Sequence, residues 1–265
     1  MKVAKAILAC TMVLPALAVS QQQAPTQFDV ITVKPHKAGE YNSGTRWDKT
    51  GMEMTNNSLQ DMIANAYDVK RWLVFGLPSW AESSRWDIQA KVVDPEMKPM
   101  DKLSMDERRA LLRSALKERF GLVAHTPDKV QPVFLMTVLP DGMKFKQSPP
   151  PATGEVISGF GRASILTNNG VMEAKYTSMS RIAETLSYFV ERTIIDKTNL
   201  TGEYDLNLKW TPEDRATATT DNGANGDTAP SIFEALKEQL GLKLTADKAE
   251  TPTVVVDHIQ QPDAN

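Results

Sequence analysis

A block of eight residues occurs twice at a spacing of 120 positions. It stands first as Ala115-Leu116-Lys117-Glu118-Arg119-Phe120-Gly121-Leu122 and again as Ala235-Leu236-Lys237-Glu238-Gln239-Leu240-Gly241-Leu242. The spacing holds well outside the block. Met52-Glu53 returns as Met172-Glu173, while Leu59, Met62, Ile63 and Ala66 return as Met179, Ile182, Ala183 and Leu186. Equal spacing of so many apolar positions asks for the same local structure twice, which constrains the fold more than composition does. The expectation is a tandem duplication of one α+β unit.

Each copy opens on an alternating strand, Gly51 to Thr55 and Val171 to Lys175. Ser58 and Ser178 then stand where an N-cap side chain is wanted, and apolar residues follow at i, i+3, i+4 and i+7, one stripe of a helix. Leu73-Val74-Phe75 and Thr193-Ile194-Ile195 read as short strands. Trp86, Ile88, Ala90 and Val92 alternate with polar residues, as do Tyr204, Leu206, Leu208 and Trp210, which marks strands with one buried face. Here the offset falls to 118. The repeated block is a second helix, with Gly121 and Gly241 at its C-terminal end, where a positive φ is favoured. Two strands close each copy, Leu122 to Ala124 then Val133 to Val138, and Leu242 to Leu244 then Thr253 to Ile259. Each copy thus reads β-α-β-β-α-β-β, with helices packed on a mixed sheet.

The order along the chain is then a signal peptide at 1–20, a first repeat at 21–139, a linker and hairpin at 140–168, and a second repeat at 169–265. The linker contains Ser148-Pro149-Pro150-Pro151, which excludes a helix. Residues 211–230 are poor in apolar side chains and read as a mobile loop inside the second repeat. An extra strand, Phe28 to Val33, precedes the first.

Lys2 and Lys5, an apolar stretch from Ala6 to Ala18 and the small residues of Ala18-Val19-Ser20 form a secretory signal pattern, which implies an exported, periplasmic or extracellular protein. Cys10, after Ile7-Leu8-Ala9, is a rival lipoprotein site, but too few apolar residues precede it. Cleavage near Ser20 removes the single cysteine, so the mature chain relies on apolar cores rather than disulfides. It also takes Lys2 and Lys5 from the 30 basic residues, leaving 28 against 33 acidic ones and shifting the net charge from −3 to −5. Neither sign is clustered. Nucleic acid is therefore not an expected partner, and no membrane insertion is expected after cleavage.

Few residues offer chemistry. His36, His125 and His258 are far apart and in no metal-ligand spacing, so no metal or other cofactor is expected. His258 adjoins Asp257, but neighbours on a strand point to opposite faces. Gly76-Leu77-Pro78-Ser79-Trp80 lacks the second glycine of a nucleophile elbow. Gly159-Phe160-Gly161-Arg162-Ala163-Ser164 begins like a dinucleotide fingerprint but runs into the turn Asn168-Asn169-Gly170. Asp87 and Asp205 recur in both copies, each after an aromatic residue, and are the acids to test first for catalysis. Trp72, Trp80, Arg85 and Trp86 crowd together and are the binding candidates, with a wedge between helix and sheet as the alternative role.

Several stretches together resemble a family of secreted, soil-associated bacterial proteins of uncharacterised function, numerous in Acidobacteria. They include Phe28-Asp29-Val30-Ile31-Thr32-Val33-Lys34-Pro35, Arg85-Trp86-Asp87-Ile88, Arg119-Phe120-Gly121-Leu122, Asp196-Lys197-Thr198-Asn199-Leu200-Thr201-Gly202-Glu203-Tyr204-Asp205 and Val256-Asp257-His258. The resemblance covers nearly the whole mature chain and implies no activity. Each half is also similar, more loosely, to the short N-terminal module of secretins and TonB-dependent transducers, which meets partner proteins. The expected function is an exported, non-catalytic binding or protein-interaction module, its partner an envelope protein or extracellular ligand. The alternative is a secreted hydrolase acting on environmental polymer through carboxylates. Oligomeric state is not legible in the sequence.

Overall fold

The computed structural model describes residues 27–37, 39, 42–92, 99–150, 162–212 and 230–262. The segment 1–20 read as a signal peptide (with Cys10), Gly159 to Gly161 and nearly all of the 211–230 segment read as a loop lie outside them. In chain order the first half contains β1 (Val30–Pro35), β2 (Gly44–Trp47), β3 (Gly51–Ser58), α1 (Leu59–Tyr67), β4 (Val74–Phe75), α2 (Ser79–Ser83), β5 (Arg85–Lys91), α3 (Met105–Phe120), β6 (Val123–His125) and β7 (Asp128–Val138). The second half contains β8 (Lys146–Gln147), β9 (Ser164–Asn168), β10 (Val171–Ser178), α4 (Met179–Phe189), β11 (Ile194–Asp196), β12 (Glu203–Lys209), α5 (Ile232–Leu240), β13 (Leu242–Pro252) and β14 (Val254–His258). The fold is α+β. Among the described residues no helix is long and apolar enough to cross a membrane.

Local chemistry sets the helix boundaries. Ser58, Ser104, Ser178 and Ser231 each accept a hydrogen bond from a backbone N–H in the first turn of α1, α3, α4 and α5. At α3 Glu107 completes a capping box by reaching back to the Ser104 backbone N–H. Gly241 ends α5 at φ +67, and a Cβ there would stand 2.2 Å from the carbonyl oxygen of Gly142. Conformation and space both require glycine at this position.

Two antiparallel four-stranded sheets have the same plan, β1-β5-β3-β2 and β8-β12-β10-β9. The strand β8 corrects two expectations. It lies in the proline-rich segment read as a linker, and it occupies in the second sheet the place that β1 occupies in the first. Phe145, just before β8, explains why so short a strand is held: its ring is buried and meets Tyr204 edge-on at 5.4 Å.

The closing strands do not join their own halves. β7 lies between β11 and β13 of the second half, and β14 lies between β4 and β6 of the first. The registers are equivalent. Val254 pairs in parallel with Val74, and Phe134 with Ile194, each residue shifted by 120 positions as the halves are interchanged. The buried residues follow the same exchange. Val254 and Val256 belong to the apolar core of the first half and Met136 to that of the second. The sequence unit and the folded unit thus differ by one strand each.

The two exchanged strands form one antiparallel ribbon. β7 pairs with β13 from Asp128–Pro252 to Val138–Leu242, and β6 continues it with β14 through Ala124–Val256 and His125–Val255. Thr253 spans the short break, donating its N–H and hydroxyl to the Pro127 carbonyl at 3.1 and 2.7 Å. At the middle of the ribbon Val130 faces Glu250, the one pair whose members stand at the 120-residue spacing. Both residues are exposed, so this pair faces solvent.

Chains 21–139 and 140–265 produced separately are expected to stay largely unfolded, because each lacks the central strand of a three-stranded sheet. Mixing them is expected to restore the native circular dichroism and a cooperative melt. A cooperative melt of either fragment alone contradicts the exchange. Met136 is fully buried in the second half, and Met136→Ala is expected to cost about 2–5 kcal/mol. Hydrogen exchange is expected to quicken in α4 and β11, not in α1, although Met136 precedes the second half in sequence.

Candidate functional site

The carboxylates chosen from the sequence serve the backbone. In β3 the register slips between Met54 and Asn57, so that two residues face Asp87. This is a β-bulge. Asn56, inside it, takes φ +54, and its freed N–H donates to the Asp87 carboxylate at 2.8 Å. His36 holds the same oxygen through Nδ1 at 2.8 Å. The second half repeats the device. Tyr176, at φ +50 in the bulge of β10, donates its N–H to Asp205 at 2.9 Å, and Ser148 donates its hydroxyl at 2.6 Å. Those hydrogen bonds, the Ser148 hydroxyl first and the Tyr176 amide second, hold the Asp205 carboxyl below the usual carboxylate range. Asp87 and Asp205 belong to different sheets.

The aromatic candidates divide. Trp86 is buried and meets Phe120 edge-on at 5.5 Å, which makes it core. Trp80, at the start of α2, packs partly buried against the same core. Arg85 is exposed and stands 3.5 Å from Asp61. Trp72 alone faces the other half, its ring 5.8 Å from that of Tyr188 at 77°.

Trp72 marks the rim of a cleft between the halves, with a volume of about 700 Å³. One wall is the C-terminal end of α1 and the turn after it, with Asp68, Lys70 and Arg71. The other comes from α4, with Glu184 and Tyr188, and from Thr193 beyond it. Thr251 and Pro252, next to the middle of the ribbon, also line it. Lys70 crosses the gap. Its ammonium donates to Glu184 at 2.7 Å and to the Tyr188 hydroxyl at 3.0 Å, and lies 4.3 Å from the centre of the Tyr188 ring. Burial favours neutral Lys70, but the bonds to Glu184 and Tyr188 outweigh it and leave the pKa above the ordinary lysine value. Arg109 of α3 pairs with Asp68 and Asp106.

Two buried polar atoms on residues that line the cleft have no hydrogen-bond partner among the described residues: Arg109 Nε and Thr193 Oγ1. Such atoms are costly, about 1–3 kcal/mol each. The two walls of the cleft differ because equivalent positions carry different chemistry. Lys70 corresponds to Val190, Glu184 to Ala64 and Tyr188 to Asp68, whereas the stripe residues of α1 and α4 stay apolar.

A family model described as a protein of unknown function (DUF3738) matches residues 60–259. The chain belongs to this family. The matched span runs from α1 to just past β14 and contains every residue that lines the cleft. No curated protein and no solved structure matches the chain.

Sequence reasoning missed Lys70, Glu184 and Tyr188, which carry no motif. It also missed the exposed pair His125–Asp257, Nδ1 to Oδ2 at 2.8 Å. Asp257 meets His125 because the exchange lays β14 against β6.

The depressed pKa of Asp205 gives a sign. The anionic form is favoured by folding, so its contribution is present above the unfolded value, about 3.9, and is lost as pH falls through the folded value. Asp205→Ala is expected to cost about 1 kcal/mol at pH 7, a modest figure because the group is solvent-screened. The gap to the parent in chemical denaturation is expected to close below about pH 4. A gap independent of pH removes the carboxylate from the account.

Proposed function

We propose that this is an exported, non-catalytic binding protein, built from two copies of one ancestral unit, whose ligand enters the cleft between the halves. The observation that carries this reading is the cleft itself, with buried unpartnered Arg109 Nε on one wall and Thr193 Oγ1 on the other. Its volume lies in the range of small-molecule sites, roughly 300–1,000 Å³. Ala64, Val69, Leu73 and Pro252 line it among mostly polar and charged side chains, which suits a polar ligand. The charged groups around it are largely neutralised in pairs: Lys70 with Glu184, Arg109 with Asp68, and Arg85 with Asp61. That arrangement favours recognition over proton transfer, because a general acid or base needs a group free to exchange its proton at the reacting atom.

The two aspartates that a carboxylate hydrolase would use are engaged by bulge N–H groups on separate sheets. This favours binding over hydrolysis. Export is inferred from the N-terminal pattern alone and rests on the sequence.

The reading is tested by thermal shift of the mature chain against small peptides, amines, organic acids and oligosaccharides. A true ligand at about 100 times its Kd stabilises by about 2.7 kcal/mol, raising Tm by roughly 5–10 °C for a chain of this size. Tyr188→Ala is expected to abolish that shift while leaving the unliganded Tm within a few degrees of the parent. A ligand whose effect survives Tyr188→Ala binds elsewhere, and the cleft loses its assignment.

A further inference from the structure

The contacts of Lys70 describe what the second half can hold. A primary ammonium carries three donors and no acceptor. On the α4 wall it meets a carboxylate oxygen of Glu184 at 2.7 Å, the Tyr188 hydroxyl at 3.0 Å and the Tyr188 ring, with its centre 4.3 Å away. Trp72 meets the same ring edge-on. Carboxylate, phenol and aromatic face together form a receptacle for an alkylammonium. The Lys70 side chain is mostly buried while those of Glu184 and Tyr188 are largely exposed, so the receptacle is open to solvent around its occupant.

We infer that Lys70 is an internal stand-in, and that the ligand of the cleft carries a primary alkylammonium that takes its place on Glu184 and Tyr188. The inference rests on the cleft being the binding site. Displacement exchanges one ammonium for another, so no charge is left buried without a partner, and the released Lys70 reaches water on a flexible stem. Asp61 and Asp68 line the same cleft, and a second cationic end of the ligand has carboxylates within the cavity. Arg71 and Arg109 line the cleft as well, so an acidic ligand has cations to meet, and what singles out an ammonium is the carboxylate, phenol and aromatic face that Lys70 already occupies. The chemistry is common to a free diamine and to a lysine side chain on a peptide.

The test is a titration of the isotope-labelled mature chain, followed by amide and indole resonances. The probes are cadaverine, the tripeptide Gly-Lys-Gly, glutarate and maltotriose. Cadaverine or the tripeptide is expected to shift resonances of Lys70, Trp72, Glu184 and Tyr188. Lys70→Met is expected to bind it about tenfold tighter, because the internal competitor is gone. Glu184→Gln in the Lys70→Met background is expected to abolish that binding. Lys70→Gln serves where Lys70→Met does not fold. A response to cadaverine alone points to a free diamine, and one to the tripeptide alone to a lysine side chain. Affinity unchanged by either Lys70 variant, or shifts away from α4, overturns the inference. A cleft that responds only to glutarate or maltotriose sinks the ammonium and leaves the binding site standing. A cleft silent to all four probes sinks both.

Discussion

The pairing of β7 with β13 holds this molecule together. It is the longest ladder in the structure, and it belongs to neither half alone. Each half has a slot for a central strand, between β4 and β6 or between β11 and β13, and each slot is filled from the other side. A central strand is hydrogen-bonded along both edges and covered by core residues. Removing it leaves two rows of backbone groups without partners and opens the core. The stability of each half is therefore conditional on the other. Reciprocal exchange joins two similar pieces through backbone pairing and packing, and the described residues include no cysteine.

The same constraint places the cleft. Because the ribbon joins the halves near Val130 and Glu250, the ends of α1 and α4 approach each other beside its middle. Thr251 and Pro252, next to that middle, line the cavity. A site on such an axis would be symmetric if equivalent positions kept the same residues. They do not. Lys70 against Val190 and Tyr188 against Asp68 give one wall an ammonium and the other an aromatic receptacle for it. The apolar stripes remain alike because packing allows few changes, while wall residues, free of that demand, differ.

Much of this was legible in the residues, and the part that was not has one cause. Ser58, Ser178, Gly121 and Gly241 act locally, within four residues of the atoms they satisfy, so they read correctly as helix ends. The alternation through Trp86 and Ile88, or through Tyr204 and Leu206, identifies a strand with one buried face. Val133 and Met136, or Val254 and Val256, likewise show that a closing strand is buried. They are silent on which half buries it, because equivalent slots accept equivalent strands. The pairs His125–Asp257 and Lys70–Glu184 depend on that choice and were hidden with it. β8 was hidden for another reason. Only Lys146 and Gln147 form it, among prolines, and the residue that anchors it, Phe145, stands just outside. Asp87 and Asp205 stood out because they recur, but recurrence marked a shared backbone need, a bulge N–H requiring an acceptor.

Why the strands exchange at all follows from counting what each arrangement leaves unmade. A half that kept its own closing strand would have to reverse the chain between β6 and β7, turning residues 126–132 into a loop. In the exchanged form that stretch runs straight. Asp128 to Pro132 pair with Lys248 to Pro252, and Thr253 meets the Pro127 carbonyl. Val254 and Phe134 occupy corresponding places beside Val74 and Ile194. The difference is the middle of the ribbon, a set of backbone hydrogen bonds that exists only when both strands cross. Pro132 and Pro252 do not break it, because a proline withholds only its own N–H, a donor the ladder does without where that position faces away from the partner strand. Exchange thus adds pairing, and the cleft beside the crossing is its geometric consequence.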